Sequence, residues 1–148
     1  MKRAFSVWPA GFLVAGLMLL LGGCVSYDRN VVSSHGLDGV KRFFVLSNQN
    51  DNHGLDHQIE AALEIRGNEA SVGPLTMLPD DAQVIITYED RWEWDFGDHL
   101  IYLQLNARNR RTEQQIAGVR FSAKIPKGKA IPTVIGELID RLLADRKP

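Results

Sequence analysis

One stretch, Val84–Phe96, narrows the possible folds more than any other. Its even positions are Val84, Ile86, Tyr88, Asp90, Trp92, Trp94 and Phe96, and its odd positions from 87 are Thr87, Glu89, Arg91, Glu93 and Asp95. Successive side chains of a strand point to opposite faces, so this alternation predicts a long strand, apolar on one face and polar on the other. Gly97-Asp98 has hairpin-turn chemistry. Pairing about it sets Trp94 opposite Ile101, Trp92 opposite Leu103 and Tyr88 opposite Ala107. A slip of one residue would turn every apolar side chain to water, so the facing is strongly specified. After a turn at Arg108–Glu113, Ala117, Val119, Phe121, Ala123 and Ile125 repeat the pattern on a third strand. Gly118, Arg120, Ser122 and Lys124 point outward on it, and Pro126 ends it.

A sheet with one apolar face needs a cover on that face, and two segments supply it. Leu55, Ile59, Ala62, Leu63 and Arg66 recur at helical spacing ahead of Gly67, which sits where a C′ cap belongs, so a helix is expected over 55–66. Ile131, Ile135, Leu138 and Leu142 predict a second helix over 132–144, with Pro132 suited to its first turn. Lys41–Ser47 reads as a strand and Ala70–Val72 as a brief one, while 48–54 and 73–81 are turn-rich connections. The expected fold class is therefore α+β: a two-layer α/β sandwich whose mainly antiparallel sheet has both helices packed on one face.

The N-terminal end carries an address. Met1-Lys2-Arg3 is a short positive start, and an apolar run follows, densest from Ala10 to Leu21, with no charge until Asp28. This is the pattern of a secretory signal. Its ending, Leu21-Gly22-Gly23-Cys24, resembles the lipobox of bacterial lipoproteins. That resemblance implies cleavage between Gly23 and Cys24 and acylation of Cys24. Cys24 is the single cysteine, which excludes an intrachain disulfide. The plainer reading is an uncleaved membrane anchor, since the apolar stretch approaches the ~20 residues that span a bilayer. Pro9, Ser6 and the position of Cys24 weigh against it. The expected organisation is a signal peptide over 1–23, lipidated Cys24 with a tether over 24–40, and an α/β domain over 41–148. Sixteen flexible residues would reach roughly 20–25 Å, although Val31-Val32 could instead pair as a short edge strand. Lipoprotein sorting rules place Asp after the Cys for inner-membrane retention. Val25 therefore implies the outer membrane, facing the periplasm.

The Tyr88-Glu-Asp90-Arg-Trp92-Glu-Trp94-Asp95 strand, followed by Leu100-Ile-Tyr-Leu-Gln-Leu, resembles a group of small bacterial lipoproteins of unknown function that share Tyr-x-Asp-x-Trp-x-Trp-Asp after a lipobox. More loosely, residues 40–145 are similar to envelope lipoproteins with small α/β domains, among them the LPS-assembly, transport-auxiliary and curli secretion lipoproteins. The resemblance implies an envelope setting and no particular chemistry, because fold does not carry function.

The residues themselves offer few catalytic candidates. Asp90 stands on the apolar face between Tyr88 and Trp92, where a carboxylate must be paired or hydrogen-bonded. It reads either as structural, capping a helix or accepting backbone N–H groups, or as a site carboxylate. Trp92 and Trp94 read first as core and second as a ligand or partner surface. Glu89, Asp90, Glu93, Asp95, Asp98 and His99 cluster in sequence, but alternation divides them between faces, and no metal is expected. Arg108, Arg110 and Arg111 fit a solvated turn as well as an anionic surface. His35, His53, His57 and His99 share no ligand spacing, and no Gly-x-Ser-x-Gly, His-Glu-x-x-His or P-loop pattern occurs. Cleavage would remove Lys2 and Arg3 from the 17 basic residues, leaving fifteen against 18 acidic ones. That balance excludes a nucleic-acid footprint. The expectation is a non-enzymatic accessory or scaffold component of an envelope assembly, without a cofactor, held to the membrane through Cys24 and bound to an envelope protein. A lipid- or glycan-binding module is the alternative.

Overall fold

The computed structural model describes residues 25–124 and 129–147. The signal segment, the Gly23–Cys24 cleavage site, the lipidated thiol, Ile125 and Pro126 lie outside them. Along the chain run β1 (Val25–Val31), β2 (Arg42–Leu46), α1 (Leu55–Ile65), β3 (Glu69–Gly73), a short 3₁₀ turn (Leu75–Met77), β4 (Val84–Trp94), β5 (Asp98–Asn109), β6 (Gln115–Ala123) and α2 (Ile131–Leu143). The six strands form one sheet in the order β1-β6-β5-β4-β2-β3. β1, β6, β5 and β4 pair antiparallel, while β2 runs parallel to both β4 and β3. This is the α+β class, with a βαβ unit (β2–α1–β3) joined to an antiparallel half.

Both helices turn their apolar stripes to one sheet face. Leu55, Ile59 and Leu63 from α1 and Val134, Ile135, Leu138, Ile139 and Leu142 from α2 share one core with Phe43, Val45, Ile86, Leu103, Leu105, Val119 and Phe121. Arg66 ties the two helices together. Its guanidinium donates to Asp140 at 2.6 Å and to the carbonyl of Gly136 at 2.8 Å. Over β1, β6 and β5 the helix-free face is polar, carrying Asp28, Arg120, Gln104 and Asn106.

Three expectations are corrected. The segment 25–40 is not a tether. Val25–Val31 pairs residue by residue with Ala123–Ala117 as an edge strand, longer than Val31-Val32 alone. The chain from 32 to 40 then folds down, burying Leu37 and Val40. The bare ladder edge of β6 offers backbone partners that water would otherwise have to satisfy. The hairpin register is also shifted. Tyr88 faces Leu105 and Ile86 faces Ala107, two residues from the expected pairing, and a bulge between Arg91 and Trp92 puts Trp92 opposite Leu100. The two-residue shift preserves facing. Finally, Trp94 is not core: it is 72% exposed, and Phe96 is 96% exposed. The reason is length. The eleven residues of β4 run about 36 Å, whereas the thirteen residues of α2 cover about 20 Å, so the hairpin outruns its cover.

Candidate functional site

Parallel strands of an α/β unit present their carboxyl ends to the loop that enters the next helix, a common place for ligands. Here that loop is 47–54, between β2 and α1. Gly54 takes a left-handed conformation (φ 66°, ψ 38°) just ahead of the helix, a bend that suits glycine. The bend brings Asp51 back over the helix start. Its Oδ2 accepts the N–H groups of Leu55 at 2.6 Å and Asp56 at 3.2 Å, and its Oδ1 accepts that of His53 at 2.8 Å. The Tyr88 hydroxyl donates to the same Oδ2 at 2.8 Å and accepts the N–H of Asn48 at 3.3 Å. A helix N-terminus is an anion site by its nature, and this one is filled by the chain's own carboxylate. Burial alone would raise the Asp51 carboxyl, but the hydrogen bonds from His53, Tyr88, Asp56 and Leu55 outweigh it and hold it below the ordinary range. Burial, followed by the bond to Asp51, pushes the Tyr88 phenol well above its usual value. The pair is thus a locked ionic hydrogen bond, carboxylate and phenol.

Around this lock sit the residues expected from the sequence. The His53 ring stacks on Trp92 at 3.6 Å between centroids, 13° from parallel, and its Nε2 lies 3.3 Å from Asp98 Oδ2. Its Nδ1 is buried and has no hydrogen-bond partner among the described residues. Trp92 packs partly against the core, and its indole N–H donates to Asp90 Oδ2 at 2.5 Å. Asp90 is therefore engaged by its neighbour two residues on. The helix cap that it could have supplied is supplied by Asp51. Trp94 stands apart, 6.2 Å from Phe96 at the turn. The structure thus gathers Asp90 and Trp92 with Asp51, His53, Tyr88 and Asp98, and leaves Trp94 in the open. Asp51 was missed because its partners come from three elements. The available signal was an Asx residue shortly before an apolar helical run, offset by the glycine at the cap.

Two of the concavities among the described residues lie elsewhere. One of about 520 Å³, lined by Asp38, Arg42, Asp80, Asp81, Gln83 and Arg111, opens at the far end of the sheet, beside the start of β4. The other, about 440 Å³, lies on the helix-free face. There Tyr102 donates to Gln104 at 2.6 Å, and Gln104 and Gln115 both donate to Asn106 Oδ1, at 2.9 and 3.3 Å. Gly118 forms part of its floor. A Cβ there would stand 3.0 Å from both the Asn106 oxygen and the Gln115 nitrogen. Among the described residues no group of three or more His, Cys, Asp or Glu is placed to hold a metal ion, and no helix is long and apolar enough to cross a membrane.

No family model matches the sequence, and no curated protein does. Solved structures do share the fold. The PelC dodecamer from Paraburkholderia phytofirmans is similar in two crystal forms, with TM-scores of 0.56 and 0.55 at 12% identity. In the first, the match covers 84% of this chain and 98% of PelC, and in the second 82% and 96%. TolB from Acinetobacter baumannii is a looser likeness, at TM-score 0.49 and 12% identity, covering 81% of this chain and 31% of TolB. At such identities the PelC likeness establishes the architecture alone.

Proposed function

We propose that the chain is a lipid-anchored accessory protein of the bacterial cell envelope, non-enzymatic, acting as a scaffold in a larger envelope assembly. The observation that carries this reading is Leu21-Gly22-Gly23-Cys24 placed immediately before the first strand. A peptidase cutting ahead of Cys24 would leave a folded domain that starts at the next residue. Val25 in place of Asp favours the outer membrane. The resemblance of Tyr88–Asp95 to small envelope lipoproteins points the same way. Asp51 is engaged by a helix and a phenol and Asp90 by an indole, which supports a structural role for both. The scaffold part is supported by the two sheet edges, β1 and β3, each paired on one side only. PelC, which shares the fold, is a dodecamer, so copies of this chain are partners to be tested first.

The test is the mass of the mature protein from membranes. Acyl chains on an N-terminal Cys24 are expected, and a chain retaining Met1 would end the reading. Crosslinking in intact cells followed by affinity capture should return either self-crosslinks or a defined envelope partner. A strictly monomeric, partner-free chain would remove the scaffold role. The second reading, a glycan-binding module, is favoured by the amide row Gln104, Asn106 and Gln115 over the glycine floor. Chemical-shift changes confined to these side-chain amides on adding cell-wall oligosaccharides would support it.

A further inference from the structure

The exposed aromatic tip and the N-terminal edge strand meet at one end of the sheet. β1 is antiparallel to β6, β6 to β5 and β5 to β4, so the register aligns Ser26, Ser122, Tyr102 and Arg91 in one row across the four strands. Val25, next to the residue that would carry the acyl chains, lies one position beyond that row. Trp94 lies three positions beyond it in the same direction, with Phe96 at the turn past it. At ~3.3 Å per residue, Trp94 extends roughly 10 Å past the row, about 7 Å beyond the level of Val25. Laterally the two points are three strand spacings apart, about 14 Å. The tip therefore faces the surface into which the anchor is sunk.

The backbone at the tip is shaped to present these rings. Phe96 has φ 52°, a conformation a bulky side chain rarely adopts, and the Asp95 N–H closes the turn on the Gly97 carbonyl at 3.0 Å. A phenylalanine at that position, 96% exposed, gains nothing from the fold itself. Tryptophan is enriched at membrane–water interfaces, where its ring sits at headgroup level. Interfacial elements bury their apolar groups ~5–10 Å into that layer, the depth available here. Charge narrows the surface. Glu93, Asp95 and Asp98 flank the tip, while Lys124 follows β6 directly and Lys129 pairs with Glu137. Carboxylates beside the rings disfavour a strongly anionic leaflet and fit zwitterionic headgroups.

We infer that Trp94 and Phe96 form a second membrane contact: the β4–β5 turn dips into the headgroup layer of the bilayer that holds Cys24, fixing the domain's tilt by two points of attachment. The inference rests on the lipoprotein reading for its geometry. The remaining faces, including the far cleft, are then directed away from the lipid.

The experiment uses the full mature protein, with its mass verified, reconstituted into vesicles of phosphatidylethanolamine and phosphatidylcholine. Trp8 leaves with the signal, so Trp92 and Trp94 are the indoles that remain. Trp92→Phe makes Trp94 the reporter, and the difference between wild type and Trp94→Phe gives the same signal should Trp92→Phe fold poorly. Brominated acyl chains should quench Trp94 emission about twofold, as for an interfacial ring, with a matching loss of quenching by aqueous acrylamide. Raising the phosphatidylglycerol fraction should weaken the effect. An acylated protein whose Trp94 stays fully open to acrylamide and untouched by bromine overturns the inference and leaves the lipoprotein reading intact. Should the mass show no acyl chain, that reading falls and the inference falls with it, whatever Trp94 does. Emission shifting with protein concentration in the absence of lipid would assign the tip to a second copy and overturn it.

Discussion

Asp51 shows how one side chain can organise several elements. It receives N–H groups from the loop and from the first turn of α1, and the phenol of β4. Replacing a capping Asp by Ala typically costs about 0.5–2 kcal/mol, and here the Tyr88 bond is lost with it. Asp51→Ala should therefore lower unfolding stability by about 2 kcal/mol in urea melts. Because the folded carboxyl titrates below its unfolded value, its stabilising contribution is complete above about pH 4 and drains away as pH falls through the lower folded value. Asp38, Glu137 and Asp140 are held low as well, so the comparison that isolates Asp51 is wild type against Asp51→Asn. The difference in stability between the two should shrink as pH drops below about 4. A constant gap across that window would show that the charge of Asp51 contributes nothing. At the hairpin tip the expectation is opposite. Trp94→Ala and Phe96→Ala should change stability by less than about 0.5 kcal/mol, since both rings are solvent-exposed. Trp92→Ala removes a ring stacked on His53 and should cost visibly more.

Among the elements, α2 has the most to lose from truncation of its stripe. Leu138 is fully buried, and Leu138→Ala should destabilise the domain by about 2–5 kcal/mol, read from chemical denaturation. The segment behind β1 is as tightly specified. A Cβ on Gly36 would stand 2.2 Å from Cγ2 of buried Ile116. Gly36→Ala should therefore cost about 1–3 kcal/mol, with altered methyl shifts at Ile116 as its signature. β1 itself covers the ladder edge of β6. Chains shortened past Val31 should expose that edge and aggregate, whereas a true tether could be deleted without consequence. Light scattering of the shortened chain separates the two cases.

At the scale of the whole molecule, orientation replaces reach. A flexible linker of sixteen residues would have let the domain wander roughly 20–25 Å from the bilayer. With β1 beginning at Val25, an acylated Cys24 would leave almost no slack, and the proposed anchor would rest the domain on the lipid surface by its hairpin end. Distances from a spin label near that end to the bilayer should be short and narrowly distributed. A broad distribution would restore the tether. The same proposed geometry would turn the charged cleft with Asp38, Arg42 and Arg111 away from the membrane.

What was legible in the sequence was what depends on period and chain direction. Alternation over Val84–Phe96 and 117–123, the helical spacing of Leu55, Ile59 and Leu63, and the capping Gly67 specify the elements and their buried faces, because burial acts on each side chain where it stands. The α+β class and the single covered face follow from them. The extent of that cover did not follow. Whether Trp94 is core or surface depends on how far two short helices reach along a longer strand, and whether 25–31 is tether or strand depends on a vacant ladder edge far along the chain, at Ala117–Ala123. The Asp51 lock likewise joins a loop, a helix start and a strand that become neighbours only once the sheet has formed. Such contacts are set by three-dimensional proximity, which local periodicity does not encode, and they decide which residues meet at the hairpin end and which remain free to meet something else.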